Sequence, residues 1–402
     1  MGHPISSPHI MLVSHEASLT GAPKIALNLL RHLRAKTDVE LTTILHNGGP
    51  LHPEFSAESP TYCMDVPREH DPKIHATVRK ILRPLQKAGR KILCICNSAE
   101  SRFVANSIFT RNIPILYLIH EYPTSYEPQE FEKIERYSNK MIFPCRSVLD
   151  SARRVVSISD QKAIIQPQGL LDDQFGTRIT KEKARTQIRR TLGLPEDAFI
   201  VLGCGTVDLR KGVDHFVAAA RTMESLNQSR RPIYFVWVGD GPRHVHSAFH
   251  YVELDVEKSR QSNVRFVGQV ENVEPFFVGS DSFLLTSRVD PFPCVIHEAM
   301  AAKLPIILFD QSGGAVEAVG EDVGKVVPFG NYVETVAAIH QICESPFLAS
   351  SMAEKGIARV RRLFQFDHYS DQIIDLCETE LGMSIRPKIH SMPVMQPALA
   401  AA

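Results

Sequence analysis

Short apolar runs alternate with stretches of helical periodicity along most of the chain. In the first half the runs lie at 10–14, 39–45, 92–96, 115–119, 141–143 and 163–166. Between the first two, Ile25, Leu29, Leu30 and Leu33 recur at helical spacing, which predicts a helix over 22–35 opening from a Thr20-Gly21 turn. After a polar stretch the alternation restarts, with runs at 199–203, 233–239, 264–268, 282–286, 305–310 and 325–328. Repeated strand–helix–strand units of this kind predict parallel sheets with helices on both faces, once in each half of the chain.

The expected organisation is an N-terminal Rossmann-like domain over 1–171, a linker over 172–195 and a second Rossmann-like domain over 196–366. A helix over 367–382 is expected to cross back to the first domain, and a Pro-, Met- and Ala-containing tail over 383–402 to be disordered. Two doubly wound domains leave a cleft between them, and ligands of such sheets sit beyond the carboxyl ends of the strands.

Length and charge add exclusions. The 402 residues suffice for two cores, and 45 basic against 45 acidic residues give no global signal for nucleic acid. The 8 cysteines form no zinc-type spacing, and those in the 92–96 run read as small buried hydrophobes in a reducing compartment. No charged leader precedes the apolar run at 10–13, and no apolar stretch reaches membrane-spanning length, so a cytoplasmic protein is expected. One stretch is locally basic: 73–91 holds seven Lys and Arg with no acid, beside an apolar stripe of Ile74, Val78, Ile81, Leu82 and Leu85 interrupted by Pro84. It reads either as a solvated helix face packed on the sheet or as a peripheral contact with anionic lipid at the inner membrane face.

The densest chemistry follows the 282–286 strand. Asp290 precedes a helix starting near Pro293 or Cys294, and Glu298 lies about one turn inside it. Both carboxylates then face one pocket, suited as acceptors to sugar or ribose hydroxyls, while backbone N–H groups at Phe292-Pro293-Cys294 favour an anion. Alone, Glu298 reads equally well as a helix cap and Asp290 as a loop acid. The turn Gly203-Cys-Gly-Thr-Val-Asp-Leu-Arg-Lys-Gly212 offers Gly205, Thr206, Arg210 and Lys211 to a diphosphate, or is a solvated basic turn. Gly21 permits close backbone approach at the first strand–helix turn, although the segment is not a P-loop. His120 ends a strand on the first domain and Val270 follows one on the second.

Taken together and in order, these segments resemble the family-four retaining glycosyltransferases of the GT-B fold. The similarity runs over 10–381 and is densest over 199–332, carried by the Asp290–Glu298 spacing, the Glu-Ala-Met-Ala-Ala-Lys-Leu-Pro continuation and Lys211-Gly212. The resemblance implies an α/β, two-domain GT-B fold with a nucleoside-diphosphate sugar in the central cleft. Glu298 would hold the ribose hydroxyls and Asp290 the transferred sugar. Lys211 and Arg210 would neutralise the diphosphate, with no metal and no other cofactor. Amides near Phe292, Pro293, Cys294 and Gly21 would hold sugar and phosphate, the Val270 segment the base, and His120 the sugar from across the cleft. The acceptor would be a glycan or lipid-linked glycan, as in polysaccharide or lipopolysaccharide assembly, with no nucleic acid partner.

This chain departs from the common pattern of that family at three places. Asp290 replaces Glu, Thr206 replaces a phosphate-binding Arg, and Lys303 replaces Gly. The same architecture also serves sugar-nucleotide epimerases and would serve a non-catalytic nucleotide-sugar binder; the acid spacing fits the transferase better than the epimerase.

Overall fold

The computed structural model describes residues 7–66, 72–226 and 229–387. The N-terminal sheet is built from β1 (His9–Ser14), β2 (Glu40–Leu45), β3 (Thr61–Cys63), β4 (Ile92–Asn97), β5 (Ile115–Leu118), β6 (Lys140–Phe143) and β7 (Ala163–Ile165). Its seven strands run parallel in the order β3-β2-β1-β4-β5-β6-β7. The C-terminal sheet holds β8 (Phe199–Cys204), β9 (Ile233–Val238), β10 (Val264–Gly268), β11 (Ser282–Leu285), β12 (Ile306–Phe309) and β13 (Gly324–Val327). These six are parallel in the order β10-β9-β8-β11-β12-β13. Every residue of β1 and β4 is buried, which explains why they read as continuous apolar runs rather than as alternating strands.

The order reverses between β1 and β4 in one sheet and between β8 and β11 in the other. At such a switch point the flanking crossovers leave on opposite faces and open a crevice at the carboxyl ends. Both crevices face the interdomain cleft, which is why the site forms there.

The stretch 172–195 is not a plain linker. The helix Lys181–Leu192 fills most of it, N-capped by Thr180 and ended by Gly193 in the left-handed region. It packs on the C-terminal domain through Ala184, Ile188 and Arg189. Its apolar periodicity is weak because an arginine occupies a core-facing position. The two terminal nitrogens of the Arg189 guanidinium donate to the carbonyl oxygens of Ala198 (2.6 Å) and Gly279 (3.1 Å) and to Asp281 (2.8 Å).

The basic stretch also resolves. The helix Pro72–Lys87 buries Ile74, Val78, Ile81 and Leu82 in the core of the N-terminal domain, so its apolar stripe faces protein. Arg90 pairs with Glu40, and Lys91 Nζ donates to the Leu381 carbonyl at 2.8 Å. Arg79, Lys80, Arg83 and Lys87 remain on the exposed face. No helix among the described residues is long and apolar enough to cross a membrane.

The chain returns to the first domain at its end. The helix Phe366–Leu381 buries Phe366, Tyr369, Ile373, Ile374, Cys377 and Leu381 against Ile10, Leu12 and the helix Gly21–Lys36. The expected disorder of 383–402 does not hold at its start: Ile385 is buried, its carbonyl accepts from Asp38 N at 2.9 Å, and Arg386 pairs with Asp375 and Glu378. The remainder, 388–402, lies outside the described residues. Ile374 is fully buried where this helix meets the first domain. Ile374→Ala is expected to cost about 2–4 kcal/mol in urea unfolding, a cavity-sized loss rather than a surface one.

Candidate active site

Each switch point ends in a turn that opens a helix into the cleft, glycine-bearing on the N-terminal side and proline-rich on the C-terminal side. From the N-terminal sheet, β1 leads through Thr20 to the helix Gly21–Lys36; from the C-terminal sheet, β11 leads to the helix Cys294–Ala301. Neither helix start carries a side-chain cap. Two sets of orphan N–H groups and two positive dipole ends therefore meet across one opening, a combination that favours an anion. The approach is close: a Cβ built on Gly21 would lie 3.5 Å from Cys294 Sγ. That contact is ordinary, so glycine here leaves room for a ligand rather than relieving a clash within the protein. The cleft encloses about 560 Å³, a volume within the range of small-molecule sites.

Lys211 and Asp290 form the centre of the C-terminal wall. Lys211 Nζ lies 2.5 Å from Asp290 Oδ2, which also accepts from Ser287 Oγ at 3.2 Å. Asp290 is buried and Lys211 mostly so. The turn that presents Lys211 is held rigidly. Its N–H donates to Asp208 Oδ1 at 2.6 Å, and Gly212 has φ +68 with only 1.9 Å between a hypothetical Cβ and the Thr286 carbonyl oxygen. Any side chain at 212 would push the turn off the end of β11. Arg210 is half-exposed, its Nη1 donating to the Val289 carbonyl at 3.2 Å and lying 3.9 Å from Asp290 Oδ1. One Asp290 oxygen thus stays open to a ligand while the other fixes Lys211.

Glu298 sits deeper, one turn into the helix, with its carboxyl group facing the same cleft. Burial pushes its pKa up to about 7; Lys24 across the cleft opposes the shift and Asp172 adds to it. The thiols of Cys204 and Cys294, on the same wall, are pushed up to about 12 by burial and by the Glu298 charge.

On the N-terminal wall, burial and the neighbouring His15 push His120 down to about 3, so the imidazole is neutral at physiological pH. Glu121 is tied into the loop: its carboxylate accepts from Ser98 Oγ, from Ala99 N at 3.1 Å and from His120 N at 3.1 Å. Burial nevertheless raises its pKa above the usual range.

The structure gathers most of the residues singled out by sequence. Asp290, Glu298, Lys211, Arg210 and His120 line one cleft. So do Gly21, Gly205 and Thr206, and the Phe292-Pro293-Cys294 turn. Val270 does not line it; Val273, at the start of the helix Glu274–Gly279, takes that place. Val270 and Val273 both pack partly buried against the core, and only Val273 also lines the cleft. Lys24 and His15 line the cleft and were not anticipated. The signal for Lys24 was present as a cation one helical turn after the Gly21 turn; His15 carried only its position after β1.

The domains also lock beside this site. Gln168 Nε2 donates to the Phe292 carbonyl at 2.9 Å, and Glu317 from the C-terminal domain accepts from Arg146 N (2.9 Å) and Ser147 N (2.8 Å) at a helix start of the N-terminal domain.

Comparison with known proteins bears on the fold that carries this cleft. Residues 184–359, within the C-terminal half, match the family model "Glycosyl transferases group 1". The lipopolysaccharide core biosynthesis glycosyltransferase LpsD of Rhizobium meliloti is 28% identical over 189 residues, 47% of this chain and 52% of that protein. The alpha-D-kanosaminyltransferase of Streptomyces kanamyceticus is 25% identical over 329 residues, 76% of this chain and 80% of that one. The chain thus spans about half the length of the first of these. Among solved structures, Anabaena HepE in complex with UDP and glucose superposes with a TM-score of 0.76 at 16% identity, over 92% of this chain and 99% of that one. The fold is that of GT-B glycosyltransferases.

Glu298 offers a direct test of the site's electrostatics. Lys24→Met removes a charge that favours the carboxylate and is expected to raise the Glu298 pKa above about 7; Asp172→Asn removes a repelling one and is expected to lower it. Carboxyl ¹³C NMR titration, with Glu298→Gln to assign the signal, reads both shifts.

Proposed function

We propose that this protein is a glycosyltransferase that moves a sugar from a uridine-diphosphate sugar to a glycan or lipid-linked acceptor with retention of configuration. The observation that carries the reading is the convergence of Lys211, Asp290 and Glu298 on one cleft where two uncapped helix starts meet. The UDP held by HepE, which shares this fold, supports uridine as the base to test first. The relatives' names support sugar transfer, and LpsD in particular supports a lipopolysaccharide-type acceptor.

In this reading the Glu298 carboxylate accepts from the ribose hydroxyls, and Lys211 with Arg210 faces the diphosphate. The open oxygen of Asp290 accepts from a sugar hydroxyl. As the bond from the anomeric carbon to the phosphate oxygen breaks, negative charge grows on the leaving diphosphate and positive charge on the sugar. Lys211, Arg210 and the amides at Phe292–Cys294 are fixed before the reaction, so they lower the barrier without reorganising. These cations take the part a divalent metal plays elsewhere. The acceptor oxygen bonds the anomeric carbon on the face the phosphate leaves, and its proton passes to the departing phosphate oxygen. Asp290 is already held by Lys211 and Ser287, which suits it to orienting rather than to attacking the sugar. Closure of the two domains over the donor would exclude water from the oxocarbenium-like sugar.

Glu298→Ala and Lys211→Ala are each expected to lower kcat/KM for transfer by about 100-fold or more. Near wild-type turnover in either variant would remove the assignment. Because protonated Glu298 loses an acceptor, donor affinity should fall as pH drops through about 7, and Glu298→Gln should flatten that limb. Incubation with UDP-sugar alone separates the reading from an epimerase, which would yield a new sugar nucleotide without acceptor.

The protein is further proposed to work in the cytoplasm, resting on the inner membrane face. Four exposed cations on the helix Pro72–Lys87 would provide the contact, by charge alone because its apolar stripe is buried. Reversing Arg83 and Lys87 to Glu should release the protein from phosphatidylglycerol vesicles in flotation, by about 1 kcal/mol or more per residue. Equal flotation with neutral lipid would sink the idea.

A further inference from the structure

Asn97 ends β4 at the point where the N-terminal strand order reverses, and its side chain has no part in the donor contacts described above. It is fully buried. Its Nδ2 group donates to the Ala22 carbonyl at 3.0 Å, in the first turn of the helix Gly21–Lys36. Its Oδ1 lies 2.9 Å from His120 Nε2. Rotating the amide would set Oδ1 against the Ala22 oxygen, acceptor against acceptor, inside the protein. The orientation is therefore fixed, and Nε2 must be the nitrogen that carries hydrogen. In a neutral imidazole the other nitrogen is then an acceptor only. His120 Nδ1 has no hydrogen-bond partner among the described residues, and His120 lines the cleft.

The surrounding loop is built to keep this arrangement. Ser98, next to Asn97, sits at φ +85, a costly conformation for a residue with a side chain. Glu121, next to His120, holds Ser98 and Ala99 through its carboxylate, so the ends of β4 and β5 are stapled together. A neutral His120 at pH 7 keeps the tautomer from being erased by protonation.

We infer that Asn97 is a positioning residue for the donor sugar: it locks His120 as the Nε2–H tautomer, so that Nδ1 meets the sugar as a hydrogen-bond acceptor. The inference rests on the donor-site reading above. It also names the sugar class. A lone pair at Nδ1 takes the hydrogen of a hydroxyl and repels a carboxylate, so a neutral hydroxylated sugar is selected over a uronate.

The free protein decides the first half. In ¹⁵N-histidine-labelled full chain, with His120→Gln assigning the signals, wild type should show a pyrrole-type Nε2 and a pyridine-type Nδ1. Asn97→Ala should give mixed tautomers. Asn97→Asp keeps the acceptor and adds a negative charge, so it should retain Nε2–H while raising the imidazole pKa. A protonated Nδ1 in wild type, or an unchanged ratio in Asn97→Ala, overturns the inference. Should Asn97→Ala fail to fold, wild type and Asn97→Asp still decide. Calorimetry then compares UDP-glucose with UDP-glucuronate. At least tenfold tighter binding of UDP-glucose by wild type is expected, and equal or reversed affinity overturns the sugar class. Failure of both to bind, with Nε2–H observed, upholds the Asn97 lock and overturns the uridine-donor reading instead.

Discussion

The ion pair between Lys211 and Asp290 ties the architecture of this site together. It joins the turn after β8 to the loop after β11, the two strands that flank the switch point of the C-terminal sheet. Both partners are largely withdrawn from water, so losing either one would leave a charge uncompensated, at about 3–5 kcal/mol. The close approach of Gly212 to the Thr286 carbonyl and the bidentate Arg288–Asp214 pair reinforce the same join. A cation is thereby held in place beside two helix starts before any ligand arrives. That is the condition under which electrostatic stabilisation of a leaving anion, as in the proposed transfer, is most effective.

The aspartate at 290 has a consequence of its own. Ser287 and Lys211 share Oδ2, leaving Oδ1 for a ligand. The carboxylate is a structural brace and, in the proposed reading, also a binding group, and its short side chain limits how far it could serve one role without loosening the other. Glu298 differs in kind. It has burial without a hydrogen-bonded cation, which is why its pKa rises toward neutrality while its charge remains answerable to Lys24 from the opposite domain. The two acids, eight positions apart, owe their different chemistry to packing.

The N-terminal wall is organised by a hydrogen-bond network around Asn97 and the Glu121 carboxylate. Asn97, Ser98, His120 and Glu121 link the ends of β4 and β5 to the first turn of the helix Gly21–Lys36. The interdomain contacts of Gln168 and Glu317 lie close to the Pro291–Phe292 turn. The Lys211–Asp290 pair lies on one wall and this hydrogen-bond network on the other, with Lys24 carrying charge across the cleft toward Glu298.

Sequence alone was enough for twelve of the thirteen described strands, because a parallel strand covered on both faces must be written as an unbroken apolar run, as β1, β4, β8 and β11 are. The three-residue edge strand β3, only partly buried, left no such run. Sequence also determined that Asp290, Glu298, Lys211 and His120 follow strands and so fall at one end of their sheets. Tertiary structure alone decided the rest. The helix Lys181–Leu192 was hidden because an arginine serves as its core residue, held by carbonyls and by the Asp281 carboxylate that folding brings near. The basic helix Pro72–Lys87 spends its apolar stripe on the domain core, which periodicity cannot tell from a stripe meant for lipid. Val273, at the start of the helix Glu274–Gly279, reaches the cleft where Val270 does not, a difference set by how that helix docks. Lys24, His15 and Asn97 joined the site through contacts between segments far apart in the chain, and such contacts leave no local pattern to read.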